Sequence, residues 1–268
     1  MVVVGNGHST NDIAAQLAPI AQTPIHRSIR HPPLEGVPAL LDSRIIDVVT
    51  ITRYSVTSTP EGNKVNLHLK DGSEIHDVDM VFVGTGYRPA VSFLRVLTRP
   101  DERDLMTLTS TGIHPPRIPS LHRHILYAYN PSLAFIGAVM AITPFTVADV
   151  SSTWLALAWS GEIKYPDTLQ DRLLDETNRI ETVRRMRAQT DNPSAYLAFH
   201  LLAPEEQDYA LGLREEIVLA RKELGTVLPQ CGNEKRDEIN AMFAKKLESL
   251  RLANEKVERE AVDWCVGK

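Results

Sequence analysis

Cysteine is scarce, positive charge is not in excess and no long apolar run occurs, and each shortage closes a class of function. Only Cys231 and Cys265 occur in 268 residues, and they form no CxxC pair. That argues against a zinc site, a dithiol redox centre or a disulfide reductase, and leaves two incidental thiols in a reducing compartment. The most apolar stretch, Leu133–Phe145, is interrupted by Pro144, and it is short of the roughly 20 residues that a membrane-spanning helix needs. No basic segment precedes a long apolar one at the N-terminus, so no signal peptide is expected. Lys and Arg number 29 against 34 Asp and Glu, a formal charge of −5, which offers no basic field to nucleic acid or an anionic membrane. His122 and His124 stand two apart, on one face if the chain is extended there, but no third metal ligand lies nearby. No Ser sits in a GxSxG elbow. Tyr54 and Tyr87 are followed four residues on by Ser58 and Val91 rather than Lys, so no Tyr-x-x-x-Lys dehydrogenase pair exists. A soluble, cytoplasmic protein acting on a small molecule is expected.

What is present reads first as alternating strands and helices. Val2–Val4 is a short buried strand, and Ile13, Ala14, Leu17 and Ala18 form one face of a helix stopping near Pro19. Pro24–Arg30, 44–58 and 64–70 read as strands, with Asp71-Gly72 as a hairpin turn before Ser73–His76. Asp79–Val83 predicts a buried strand. Residues 96–125, with HPPRIP at 114–119, predict loop; Ile125–Tyr129 and Leu133–Ile136 predict strands; Phe145–Ser160 predicts an apolar helix. Residues 167–223 and 234–263 predict charged helices. In the latter, Ile239, Phe243, Leu247, Leu250, Val257 and Ala261 make a stripe that either packs on its own domain or docks a partner.

The chemistry sits in the loop after the first strand. Gly5-Asn6-Gly7 running into a helix aims backbone N–H groups at the place where a pyrophosphate can be held. The third position of the GxGxxG pattern is Thr10, and a β-branched residue there predicts either a displaced helix or a compensating small neighbour. Ser9 or Thr10 is expected to cap the helix. Asp12 suits the helix dipole, and could equally orient the glycine loop or stand beside a flavin. The second strand carries Arg27, Ser28 and Arg30 in place of the acidic residue that holds a ribose 2′-hydroxyl. Guanidinium and hydroxyl groups suit a 2′-phosphate, favouring NADP over NAD, although arginines at a strand end also occur simply as surface residues.

VVVGNGHSTNDIA resembles the NADPH-binding segment of the flavin-dependent monooxygenases, the N-oxygenating and Baeyer–Villiger-type enzymes. DMVFVGTGYRP resembles that family's D-x-V-x-x-A-T-G-Y linker, with Gly84 in place of the usual Ala. HRHILYAYNPSLAFIGAVMAITPFTVADVSSTWLALAWSG resembles the closing part of its flavin domain. Three ordered matches over residues 2–161 imply an α/β fold: a Rossmann-type NADPH-binding domain at 1–95, the C-terminal part of an FAD-binding domain at 96–161, and a helical extension at 162–268. The resemblance implies NADP(H) and FAD as cofactors and oxygenation of a soft nucleophile, such as an amine or sulfide, or of a ketone. It places Gly5, Asn6, Gly7, His8, Ser9, Thr10 and Asp12 at the dinucleotide, and Thr85, Gly86 and Tyr87 at a junction between domains. Ile136 and Gly137 fall beside the flavin, with the turn Thr143-Pro144-Phe145. It assigns no catalytic residue to this chain.

By the same resemblance, the N-terminal half that carries the FAD diphosphate loop precedes these segments, and this sequence begins at the strand before the NADPH glycines. A truncated chain is therefore expected, with apolar faces of 125–161 partly uncovered and prone to self-association. An NADP-binding module or partner subunit without turnover is the competing expectation.

Overall fold

Alternation along β1 (Val2–Val4) sets two layers of core. A computed structural model describes residues 1–31, 39–60, 62–87, 89–97, 105–109, 113–189, 198–202 and 205–266. In it Val3 packs with Ala14, Ile25, Ile45 and Phe82 on one side of a sheet, while Val2 and Val4 pack with Val48, Leu67, Leu69 and Val78 on the other. Successive side chains of a strand point to opposite faces, so a strand buried on both sides has no polar position to give.

Two compact units divide the chain, residues 1–87 with 239–268, and residues 88–238. The expected divisions at 95 and 161 do not coincide with these units. The first unit begins with β1, α1 (His8–Leu17) and β2 (Ile25–Ser28), followed by β3 (Ile45–Val48). An antiparallel meander of β4 (Ile51–Thr59), β5 (Gly62–Leu69) and β6 (Glu74–Val78) follows, and β7 (Val81–Val83) returns beside β1. The parallel sheet has the order β3-β2-β1-β7, with Val3 level with Arg27 and Phe82, and Arg27 level with Asp47. The β5–β6 turn is made by Asp71-Gly72, with Gly72 at φ +87°. The expectation of a buried strand at 79–83 is corrected: among the described residues β7 pairs only with β1 in the sheet, and Val83 is 71% exposed.

The second unit opens with the hairpin β8 (Ala90–Leu97) and β9 (Leu105–Thr109). This overturns the expected loop over part of 96–125; residues 98–104 and 110–112 lie outside the described residues. Val91 and Leu108 are buried but Phe93, Leu97, Leu105 and Met106 are exposed, so the ribbon never shows the clean apolar alternation of a half-buried strand. Next come β10 (Leu121–His122) and β11 (Leu126–Tyr127). The strand expected at Leu133–Ile136 reduces to one bridge between Leu126 and Ala134. The Asn130 carbonyl accepts from Leu133 N, Asn130 Oδ1 accepts from Ser132, and Gly137 turns at φ +81°, so the segment is bent at both ends.

Helices α2 (Pro144–Trp159), α3 (Leu169–Ala188) and α4 (Glu206–Ala220) follow, with a 3₁₀ turn at Lys222–Thr226 and then α5 (Asn233–Val266). The helical expectation at 190–197 and 203–204 lies outside the described residues. Trp154, Leu155, Leu157 and Ala158 of α2 share one core with Ile125, Leu126, Leu213, Ile217 and Leu228. The apolar segment 125–161 is thus largely covered, by α4, while Ile136, Ile142 and Phe145 stay exposed. From Ile239 onward α5 belongs to the first unit. Among the described residues no helix is long and apolar enough to cross a membrane.

Candidate functional site

The glycine loop is rooted at both edges of β1. Gly5 N donates to Ser28 O at 2.9 Å, and Gly84 N donates to Val4 O at 2.8 Å. Gly5 has φ +127°, a conformation that only glycine adopts cheaply. A Cβ there would lie 2.5 Å from Gly84 O, so the glycine is required by the β7 end as well as by the turn. Gly7 is the helix N-cap, extended at φ −96° and ψ 179°, with no side chain bonded to the helix start. The amides of His8, Ser9 and Thr10 therefore have no intrahelical acceptor, as is usual for a helix's first residues.

Thr10 does not cap the helix, and neither does the exposed Ser9, which corrects the capping expectation. Thr10 is fully buried, and its Oγ1–H donates to Gly84 O at 3.0 Å. A Cβ on Gly84 would lie 2.5 Å from that oxygen. Gly84 is the small neighbour that a β-branched third position demands. Thr at position 10 and Gly at 84 are two halves of one packing solution.

The other candidates separate on inspection. Asp12 binds Lys246 of α5 at 2.8 Å. Arg27 is only 11% exposed in its side chain; Nε and Nη2 donate to the two Asp47 oxygens at 2.7 and 2.9 Å, and Nη1 donates to Asn11 Oδ1 at 2.8 Å. Ser28 is buried and donates its hydroxyl proton to Val49 O at 3.1 Å. Neither side chain is presented to a 2′-phosphate; Arg30 is exposed. Asn6 Nδ2 donates to His31 O at 3.3 Å. Thr85, Gly86 and Tyr87 follow Gly84 in the first unit, all exposed, with Gly86 at φ +83° and Tyr87 at 90% exposure.

Ile136 and Gly137 belong to the second unit, where both are exposed. Close to them in sequence lies the start of α2, with Thr143 as N-cap and Pro144 at its first position. Just before it Glu206, 2% exposed, accepts from Ile142 N, Thr143 N and Thr143 Oγ1. The carboxylate thus holds the two amides that lead into the helix, and Pro144 brings no N–H of its own. Nothing in the sequence distinguishes Glu206 from its neighbour Glu205, and this residue was not foreseen.

His122 and His124 are not on one face of a strand, because Arg123 and His124 both have positive φ, 52° and 59°. His122 Nδ1 lies 2.7 Å from Asp175 Oδ2. His200 Nε2 accepts from Ile118 N at 2.9 Å, so in the neutral ring the proton sits on Nδ1, which donates to His124 Nδ1 at 3.0 Å. Burial pushes His124 down to about 4 and His200 down to about 3, with Arg179 adding to both. These rings form a neutral internal pair.

No protein-family profile matches the chain. It is 25% identical to the flavin-containing monooxygenase ustF2 of Aspergillus flavus over 64% of this chain and 36% of that one. It is 27% identical to the thiol-specific monooxygenase of Saccharomyces cerevisiae, over 57% of this chain and 33% of that one. Against flavin-containing monooxygenase FMO GS-OX-like 2 of Arabidopsis thaliana it is 26% identical over 66% of this chain and 34% of that one. The fold matches the crystal structure of Tmm from Pelagibacter sp. strain HTCC7211 with a TM-score of 0.52 at 19% identity, over 84% of this chain and 46% of that one. The three-part resemblance read from residues 2–161 and these alignments agree: over roughly a third of the relatives' length, the chain is a distant homologue of the flavin-containing monooxygenases.

Proposed function

We propose that the first unit is a Rossmann-type domain that binds NADP(H) on the Gly5-Asn6-Gly7 loop, and that it serves an NADPH- and FAD-dependent monooxygenation of an amine, sulfide or ketone. The observation that carries this reading is the start of α1 behind a glycine turn, where the N-cap makes no side-chain bond and the amides belong to the half-buried His8 and the exposed Ser9. Bound there, the dinucleotide would supply hydride. The chain's own contribution is to hold the diphosphate on those amides, with the exposed Arg30 as the cation for the 2′-phosphate. Thr85, Gly86 and Tyr87 remain candidates at the far side of the loop.

The second reading is the same dinucleotide site taken as a module without turnover. One experiment separates the two. The purified full chain is titrated with NADPH by fluorescence, then incubated with FAD, desalted, and its visible spectrum followed after NADPH in air. Saturable NADPH binding with a retained flavin band that bleaches and returns supports monooxygenation. NADPH binding without retained flavin supports the module. No NADPH binding refutes both. Self-association through the exposed Ile136, Ile142 and Phe145 belongs to the proposal, and sedimentation showing a monomer at every concentration counts against it.

A further inference from the structure

The outer side of the glycine loop's helix is held by a distant part of the chain. Phe243 of α5 stacks on the His8 imidazole with ring centroids 4.7 Å apart and planes 5° from parallel. Lys246 pairs with Asp12 at 2.8 Å, and the buried Asn254 donates from Nδ2 to Ala15 O at 3.0 Å. Further along, Glu258 accepts from Arg44 at 2.6 Å. Phe243, Lys246, Leu247, Leu250, Asn254 and Val257 are among the partly or fully buried positions of this part of α5, spaced as one helical face. The apolar stripe therefore packs on its own unit; the side chain of Ala261 lies outside the described residues.

His8 is the first residue of α1, so its amide is one of those that the nucleotide reading assigns to the diphosphate. Its ring stacks on Phe243 of α5. We propose that Phe243 is a positioning residue for dinucleotide binding: by stacking on His8 it fixes the first turn of α1 and couples affinity to the protonation of that imidazole. This rests on the NADP(H) reading above.

The electrostatics make the coupling testable. The groups facing the imidazole are Lys246 from α5, Asp12 from α1 itself and the Phe243 ring. Burial and the Lys246 ammonium hold His8 below the ordinary histidine value, against the opposing pull of Asp12. A diphosphate on the neighbouring amides favours the imidazolium. Binding therefore takes up a proton, and affinity rises as pH falls through the histidine range. Removing the stack solvates the ring, raises its pKa in the free protein and moves that rise to higher pH.

The test uses the full chain, with NADPH affinity measured by fluorescence from pH 5.5 to 8.5 and the His8 ring titrated by NMR without ligand. Phe243→Leu keeps an apolar filler but no ring. It is expected to weaken binding at pH 8 by roughly threefold to tenfold, the range of one aromatic contact, and to shift both titrations upward. Phe243→Tyr keeps the stack and is expected to restore affinity and pH profile together. Two results would overturn the proposal: Phe243→Leu retaining wild-type affinity and profile, or Leu and Tyr variants losing affinity equally with an unmoved His8 titration. Failure of the wild type to bind NADPH at any pH overturns the nucleotide reading itself, and is recognised before any variant is compared.

Discussion

Replacing Gly84 with Ala is the sharpest probe of the loop, because a family-typical alanine should be harmful in this chain. The new Cβ would lie 2.5 Å from Thr10 Oγ1 and 3.3 Å from Thr10 Cβ. Thr10 is fully buried and its rotamer is tied to Gly84 O, so it cannot yield without breaking that bond. Overpacking of this kind costs about 1–3 kcal/mol, and loss of the hydrogen bond adds about 1 kcal/mol. Stiffening the unfolded chain by Gly→Ala returns about 0.4–1 kcal/mol, so a net loss of roughly 1–3.5 kcal/mol is expected. Thr10→Ala removes the obstructing oxygen. The double variant Thr10→Ala/Gly84→Ala should then be more stable than the sum of the singles by about 1–2 kcal/mol, the size expected for residues in direct contact. Urea unfolding read by amide exchange in α1 and β7 isolates this unit from the other. A Gly84→Ala variant as stable as wild type, or a strictly additive double variant, refutes the argument that these two residues form one packing unit.

Acid should weaken the second unit before its carboxylates titrate. His124 and His200 are buried neutral with folded pKa values near 4 and 3, below the unfolded 6.5, so unfolding takes up protons below pH 6.5. Stability is full above that pH and falls below it, by about 3 kcal/mol at pH 4 for His124 alone; a Tm for this unit that is flat from pH 7 to 4 would contradict it. Glu206→Gln keeps a neutral acceptor at the start of α2 and should cost less than Glu206→Ala, which strands buried donors at about 1–3 kcal/mol; equal Tm values for both would remove Glu206 from the role given to it. Arg27→Gln should lower the Tm while leaving the ratio of NADPH to NADH affinity unchanged, since Arg27 is spent on Asp47 and Asn11. Arg30→Gln should do the reverse, and titrating both variants with both dinucleotides decides between them.

Local pattern made much of the first unit legible. Val2–Val4, the glycine turn, the amphipathic start of α1 and the Asp71-Gly72 turn each carry their own physical reason within a few residues, so no tertiary partner was needed to read them. Where partners decide, the reading failed. β7 has the composition of a buried strand, yet Val83 is exposed because among the described residues β7 meets only β1 in the sheet. The hairpin of β8 and β9 was invisible because too little of it is buried to impose a period. The stripe on α5 announced that it packs on something, but α1 as its target depends on the three-dimensional path of the chain.

The site shows the same division more sharply. A glycine loop before a helix states where backbone donors will point, and Arg27, Ser28 and Thr10 were assigned by what each could offer a ligand. Three of those offers are consumed inside the protein: Arg27 by Asp47 and Asn11, Ser28 by Val49, and Thr10 by Gly84. Before α2 the amides of Ile142 and Thr143 are likewise taken, by Glu206. Burial is the physical reason, since a polar group removed from water must be paired and takes whatever partner the fold brings within reach. The start of α1 at His8 and the exposed Ser9 is what the fold leaves for an anion, whereas the turn before α2 carries its own carboxylate.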